Sequence, residues 1–291
     1  MGAIVNALTI DVEDYYHVAA FDRVINPDRW SNMESRFARN THVLLDLFDA
    51  HQVRATFFVL GWCAEREPGL VMEIAKRGHE VASHGYSHKL IYTQHPDDFK
   101  YETQKSKDLL ESIIGRPVKG YRAASYSITA KSLWALDILC ETGFEYDSSI
   151  FPIYHDRYGI SDSPETIYKI KTAQGNCLTE FPMSVAKLGR IKIPVSGGGY
   201  FRLFPYWLTR LGLKSISQRG QRPFVFYLHP WEVDPAQPKI QASWFSRFRH
   251  YNNLDVCELR LANLLREFEF TTMENVLKQH PPEVEYTDFC S

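Results

Sequence analysis

Short apolar runs alternate with helix-like stretches along this chain, at intervals of roughly 25–35 residues, which is the signature of βα units. The runs are ALTID (7–11), ATFFVLG (55–61), HEVASH (79–84), VKGYRA (118–123), FEYDSS (144–149), FVFYLH (224–229) and FEFTTM (268–273). Several are apolar on successive residues, as strands covered on both faces are. Between them, SRFARNTHVLLDLFDAHQ places Val43, Leu44, Leu47 and Phe48 on one helical stripe. DDFKYETQKSKDLLESIIG stops at Gly115 with Pro117 beyond, and TAKSLWALDILCETG runs from a capping Thr129 to Gly143. The rhythm predicts an α/β barrel of seven or eight units, irregularly built. It breaks between Phe151 and Arg222, where TIYKIKT, CLTEFPM and RIKIPVSGGGYFR read as short strands and loops. No linker-like composition separates this stretch. It is therefore expected to elaborate the barrel, with residues 1–278 as one domain and 279–291 as a loose polar tail.

Composition removes several classes of function. A net charge of −2 over 291 residues leaves no nucleic-acid footprint. No run approaches the ~18 apolar residues of a membrane span. The five cysteines, Cys63, Cys140, Cys177, Cys257 and Cys290, are odd in number and form no CxxC, which suits a reducing compartment. The N-terminus, MGAIVNALTIDVED, has no basic region before a long apolar segment and does not read as a signal peptide. A cytoplasmic location is expected.

The unusual polar residues fall at the ends of the predicted strands. Asp11 and Glu13 end the first, His84 and His88 follow the third, Arg122 ends the fourth, Asp147 the fifth and His229 the sixth. Closure of a parallel barrel would bring these ends to one rim, where barrel active sites lie. Taken singly, each has an ordinary structural explanation; their common placement carries the argument. His84 and His88 are spaced i, i+4, so two imidazoles can meet one ion. With a carboxylate and open positions they form a donor set for a divalent metal, zinc above all. Strand alternation puts Asp11 and Glu13 on one face, one as base and one as ligand. Asp14 can join only if the strand has already turned; otherwise it is a solvated or helix-capping acid. An Arg beside a carboxylate lowers its pKa and orients it, and His229 opposite an activated water would be a natural acid. SGGGYFR (196–202) lacks the spacing of a phosphate loop. Tyr15, Tyr16, Tyr126, Tyr200, Phe201 and Trp231 lie beside these residues and are candidates for a sugar-stacking wall.

In order, Asp11-Val12-Glu13-Asp14, His84-x-x-x-His88, Arg122-Ala-Ala-Ser125, Asp147-Ser-Ser149 and Leu228-His229 resemble the five motifs of the polysaccharide deacetylases of carbohydrate esterase family 4. SGGGYFR and RLANLLREFEFTTMENVL are similar to the branch found beside exosortase-type exopolysaccharide export loci. The resemblance implies a distorted (β/α)7 barrel and metal-dependent removal of N-acetyl groups from a polysaccharide or oligosaccharide. It implies Asp11 as base, Arg122 as its holder, His229 as acid, and the backbone N–H of Ser125 at the oxyanion. His84 and His88 would be ligands, with Glu13, or failing it Asp14, completing the set. Tyr126, Asp147, Tyr200 and Trp231 would face the sugar. Three positions depart from the family pattern: Val12 separates the first acids, Ala124 replaces a Pro, and no Trp follows Ser149. Two rival readings are an amidase acting on a small linear or cyclic amide and a barrel that binds polysaccharide without turnover.

Overall fold

The computed structural model describes residues 4–22, 24–155, 157–172, 174–189, 191–282 and 284–286. Its strands are β1 (Val5–Val12), β2 (Thr56–Val59), β3 (Glu80–Ser83), β4 (Gly120–Tyr121), β5 (Tyr146–Asp147), β6 (Tyr168–Lys171), β7 (Cys177–Glu180), β8 (Val185–Leu188), β9 (Ile191–Pro194), β10 (Val225–Leu228), β11 (Glu269–Thr271) and β12 (Glu285–Tyr286). Each of the predicted apolar runs contains one. Seven strands are parallel in the order β10-β1-β2-β3-β4-β5-β7. β6 adds antiparallel to β7, and β12 follows it.

Alternation along the strands sorts the core into two layers. Leu8, Ile10 and Val12 of β1 pack with Phe57 and Val59 of β2 and with Leu44 and Phe48 of the helix Phe37–Ala50. Ala7 points to the other side, in a cluster with Phe58, Ala82, Tyr146, Val225 and Tyr227. Burying each large apolar side chain contributes about 1.5–3 kcal/mol, so the helical layer fixes which face of β1 turns inward. Thr9 and Asp11 share the phase of Ala7.

Two expectations about strands are corrected. The seventh parallel strand is β7, inside the stretch read as an elaboration, and it pairs with β5 through Tyr146 and Asp147. FEFTTM yields only β11, three residues beside Val5–Ala7. β2 occupies Thr9–Val12 of β1, and Ala7 pairs with both β10 and β11. β11 therefore takes the stub of edge that the shorter β2 leaves open. The tail is also not loose throughout, since β12 lies within it; residues 283 and 287–291, with Cys290, fall outside the described residues.

Among the described residues the strand ladder does not close between β10 and β7. Side chains span the seam instead. The N–H of Val225 donates to Ser184 Oγ at 2.9 Å, Ser196 Oγ donates to the Ser184 carbonyl at 2.8 Å, and the N–H of Tyr227 donates to the Ser196 carbonyl at 2.8 Å. Gly197 bridges to Tyr227 at φ +132°, where an added Cβ would lie 1.9 Å from the Tyr227 carbonyl oxygen. This is the distortion of the barrel, and it depends on a residue without a side chain. No helix among the described residues is long and apolar enough to cross a membrane. Gly197→Ala is expected to open the seam and lower stability by at least ~2 kcal/mol. An unchanged urea midpoint would show that the seam tolerates a side chain.

Candidate active site

Asp11 sits at the inner end of β1, buried. Its Oδ1 accepts from Nη1 of Arg122 at 2.7 Å. Arg122 is fully buried, and every other contact of its guanidinium is polar or aromatic. Nη1 also donates to Thr9 Oγ1 (2.8 Å), Nε to the Ser148 carbonyl (3.1 Å) and Nη2 to Ser148 Oγ (3.0 Å), over the ring of Phe58. Asp11 Oδ2 is left facing His229, whose Nε2 lies 4.0 Å away.

Glu13 follows one residue after the strand, on the same face. Its carboxylate oxygens and the ring nitrogens of His84 and His88 supply three donor atoms within 4.8 Å of one another. His84 donates from Nδ1 to the Arg122 carbonyl at 2.9 Å, which leaves the Nε2 lone pair for a ligand. Burial lowers its pKa to about 4, so the imidazole is neutral, the form that binds metals. His88 adopts a left-handed backbone, φ +54°, which swings Nε2 to 2.7 Å from Glu13 Oε2. That oxygen makes no hydrogen bond of acceptable geometry although it is buried. Burial alone would raise the pKa of Glu13, but the charges of His88, and after it His229 and His84, hold it well below the ordinary carboxylate range. A buried anionic oxygen without a hydrogen-bond partner, set against two imidazoles, fits a metal ion as the missing partner.

Asp14 points elsewhere. Its Oδ2 accepts from the N–H groups of Arg36 (2.7 Å) and Phe37 (3.2 Å) and from Ser35 Oγ (3.1 Å), and Oδ1 from the N–H of Tyr15 (3.0 Å). It caps the helix Phe37–Ala50 from a distant loop, where a negative charge suits the orphan amides and the dipole.

His229 follows β10. Its Nδ1 lies 2.9 Å from Glu232 Oε2, and its Nε2 lies 3.7 Å from Glu13 Oε1. Burial works against the charged ring, but the Glu232 hydrogen bond, then Glu13, raise its pKa to about 9. Glu232 in turn accepts from Nε of the buried Arg202 at 2.7 Å. Trp231 donates Nε1 to Glu13 Oε1 at 3.2 Å and stacks between His229 and His250.

Asp11, Glu13, His84, His88, Ser125, Tyr126, Tyr200, His229 and Trp231 all line one cavity of about 250 Å³. Ser125 and Tyr126 are both left-handed, so with His88 three strained non-glycine residues meet there. Asp147 does not belong to it. It is fully buried, accepts from Ser149 Oγ, and lies against Glu180; burial raises its pKa to about 6 and that of Glu180 well upward. Tyr15 and Tyr16 do not line the cavity but are buried in a cluster that shares Trp231 with it, and Phe201 is in the core. Glu232 and Arg202 went unnoticed in the sequence. The first had a signal, an acid three residues after a capping position in HPWE, which forms a capping box. The second had none, since Arg is rarely buried.

An α/β barrel with paired histidines and acids on its rim defines a class, which part of the chain shares with the polysaccharide deacetylase family. Residues 22–145 match that family, and residues 148–278 match a domain of unknown function (DUF3473). A peptidoglycan-N-acetylglucosamine deacetylase of Bacillus cereus is 34% identical over 98 residues, 33% of this chain and 36% of that protein. The chain thus spans little more than a third of the length of this relative. A crystal structure of a candidate polysaccharide deacetylase from Mycobacterium smegmatis superposes with a TM-score of 0.65 at 20% identity, covering 96% of this chain and 91% of that one. An allantoinase superposes at 0.63 and 12% identity, covering 96% and 92%. At these identities both show the fold alone.

The two neighbouring acids should separate in a metal titration. Glu13→Gln is expected to weaken zinc binding at least ~10-fold, because a neutral amide is a poor ligand. Asp14→Asn should keep the metal and lower the unfolding midpoint. Loss of metal in Asp14→Asn with retention in Glu13→Gln would reverse the assignment.

Proposed function

We propose that the protein removes N-acetyl groups from an N-acetylated polysaccharide or oligosaccharide. The observation that carries this is the approach of Asp11 Oδ2 and His229 Nε2 to 4.0 Å beside the three-donor set of Glu13, His84 and His88. A base and an acid with separate partners can each work once per turnover. A divalent ion held by those donors, zinc by their chemistry, would polarise the amide carbonyl and acidify water. Asp11 takes the proton of the attacking water through Oδ2, while Arg122 holds Oδ1 and fixes the carboxylate in place. His229 gives its Nε2 proton to the departing amine, and Glu232 keeps Nδ1 anchored and the ring cationic beforehand. The products are acetate and a free amine. The Ser125 N–H is assigned to the developing oxyanion. Tyr126, Tyr200 and Trp231 form the wall against the sugar.

The first strand, which precedes both matched regions, works with them as one catalytic unit in this reading. Base and ligands come from the chain before Arg122, the acid and its Glu232–Arg202 support from the chain after Tyr200. A place in exopolysaccharide biosynthesis follows from the motif resemblance. A cytoplasmic setting suits the free thiols of Cys63, Cys140, Cys177 and Cys257.

Asp11→Asn should retain its metal while acetate release from N-acetylglucosamine oligomers falls by roughly 10²–10⁴. His229→Ala should slow poor leaving groups most. Full acetate release by Asp11→Asn would remove the base. Turnover of small linear or cyclic amides without acetate release from oligomers would transfer the site to an amidase. Oligomer binding with no acetate from the wild type would make it a binding barrel.

A further inference from the structure

One face beside the cavity mouth is apolar and is not covered by the fold. The helix Trp244–Tyr251 reads WFSRFRHY. Trp244, Phe245 and Phe248 are 76%, 60% and 41% exposed, and Trp244 and Phe248 lie nearly parallel with centroids 5.5 Å apart. On the opposite side of the helix His250 is buried and stacks on Trp231, so the helix is fixed to the site. Leu203, at the end of the helix Gly198–Leu203, is 47% exposed, and it lines the cavity together with Phe248. Arg202 ties the two helices together by donating to the carbonyls of Arg249, His250 and Asn252.

Charge on these segments is one-sided. Residues 198–222 contain Arg202, Arg210, Lys214, Arg219 and Arg222 and no acid; residues 235–251 contain Lys239, Arg247 and Arg249 and no acid. Arg202, Arg210 and Arg222 pair with Glu232, Glu267 and Glu165 from elsewhere in the chain, so the uncompensated charge beside the apolar face is that of Arg247 and Arg249. Arg247 and Arg249 are exposed and make no ion pair among the described residues.

We propose that this face docks on an anionic lipid bilayer. Trp244, Phe245 and Phe248 would enter the headgroup boundary, and Arg247 and Arg249 would meet lipid phosphates. Exposed Trp and Phe flanked by Arg on a short amphipathic helix is the composition of an interfacial anchor. A sugar platform is disfavoured, because the aliphatic Leu203 offers no ring to stack on. A second copy is disfavoured too, since a two-fold contact would set Arg247 and Arg249 against themselves. One eight-residue helix gives weak, reversible attachment. Docking would bring the cavity mouth to the lipid surface through Leu203 and Phe248. The inference rests on this surface and not on the reaction, so it stands or falls apart from the deacetylase reading.

The test is co-sedimentation of the full chain with phosphatidylcholine vesicles, with and without phosphatidylglycerol. Binding should require phosphatidylglycerol and weaken with salt. Trp244→Ser/Phe245→Ser should reduce partitioning ~10-fold, and Arg247→Gln about 5-fold. These side chains are exposed and lie outside the cavity lining, so circular dichroism and the melting point should match the wild type. Three results would overturn the proposal: no binding of the wild type to anionic vesicles, wild-type binding by the double serine variant, or a wild-type dimer that the same variant dissociates.

Discussion

Arg122 carries its charge with none of its surface exposed, and the rim of the barrel is arranged around that fact. Burying a guanidinium costs several kcal/mol unless its donors are matched. Here the matching groups come from β1 (Thr9 and Asp11) and from the chain after β5 (Ser148), with the ring of Phe58 in β2 beneath. One side chain therefore fixes the relative position of strands far apart in sequence. Its backbone carbonyl accepts from His84, so the same residue orients the Asp11 carboxylate through its guanidinium and the His84 imidazole through its main chain. Removing Arg122 would leave Asp11 buried without its guanidinium partner, and Asp11 and His84 would lose their common reference together.

The crowding of acids in IDVEDYYHV is resolved by direction. Asp11 faces Arg122, Glu13 faces two imidazoles and the Trp231 N–H, and Asp14 faces the first amides of a helix. Each carboxylate has its own source of positive potential, so proximity in sequence does not become repulsion in space. Asp147 and Glu180 show the other outcome. Both are buried, both have an oxygen without a hydrogen-bond partner, and burial raises both pKa values. Such a pair is accommodated by sharing a proton. Burial raises the pKa of Asp14 as well, against the pull of its donors, whereas the charged rings around Glu13 hold it low.

What the sequence made legible follows from what is periodic. The inner strands are apolar on both faces and announce themselves, and the rim residues are readable because each sits one or two positions past such a run. β7 was read as a short strand of the elaboration and not as part of the parallel sheet because it alternates, with Leu178 and Glu180 buried and Cys177 exposed, like an edge strand. Asp147 occupied the expected rim position but turned down into the strand layer, where Glu180 of β7 met it; an unassigned neighbour in the sheet makes the direction of a side chain unreadable. Glu13 and Asp14 were separable by alternation alone, because β1 stays regular up to Val12. Arg202 and Glu232 form their ion pair across thirty positions that include the irregular seam, and no period connects them.

The seam also explains why the two matched regions cannot be independent. Asp234 of the second accepts from Arg36 and Asn40 of the first, while Trp231 donates to Glu13 of the strand that precedes both and stacks on His229 and His250. His250 belongs to the outer helix whose C-terminal carbonyls hold Arg202, and Arg202 holds Glu232, which holds His229. The chain of contacts closes on itself, from Glu13 to the indole to the outer helix to His229. A displacement of the outer helix must therefore move the indole against Glu13 or the carboxylate behind His229. Interiors at native packing density transmit such shifts instead of absorbing them. The surface that faces outward at Trp244 and Phe248 and the groups that face inward at Glu13 and His229 are two sides of one packed unit.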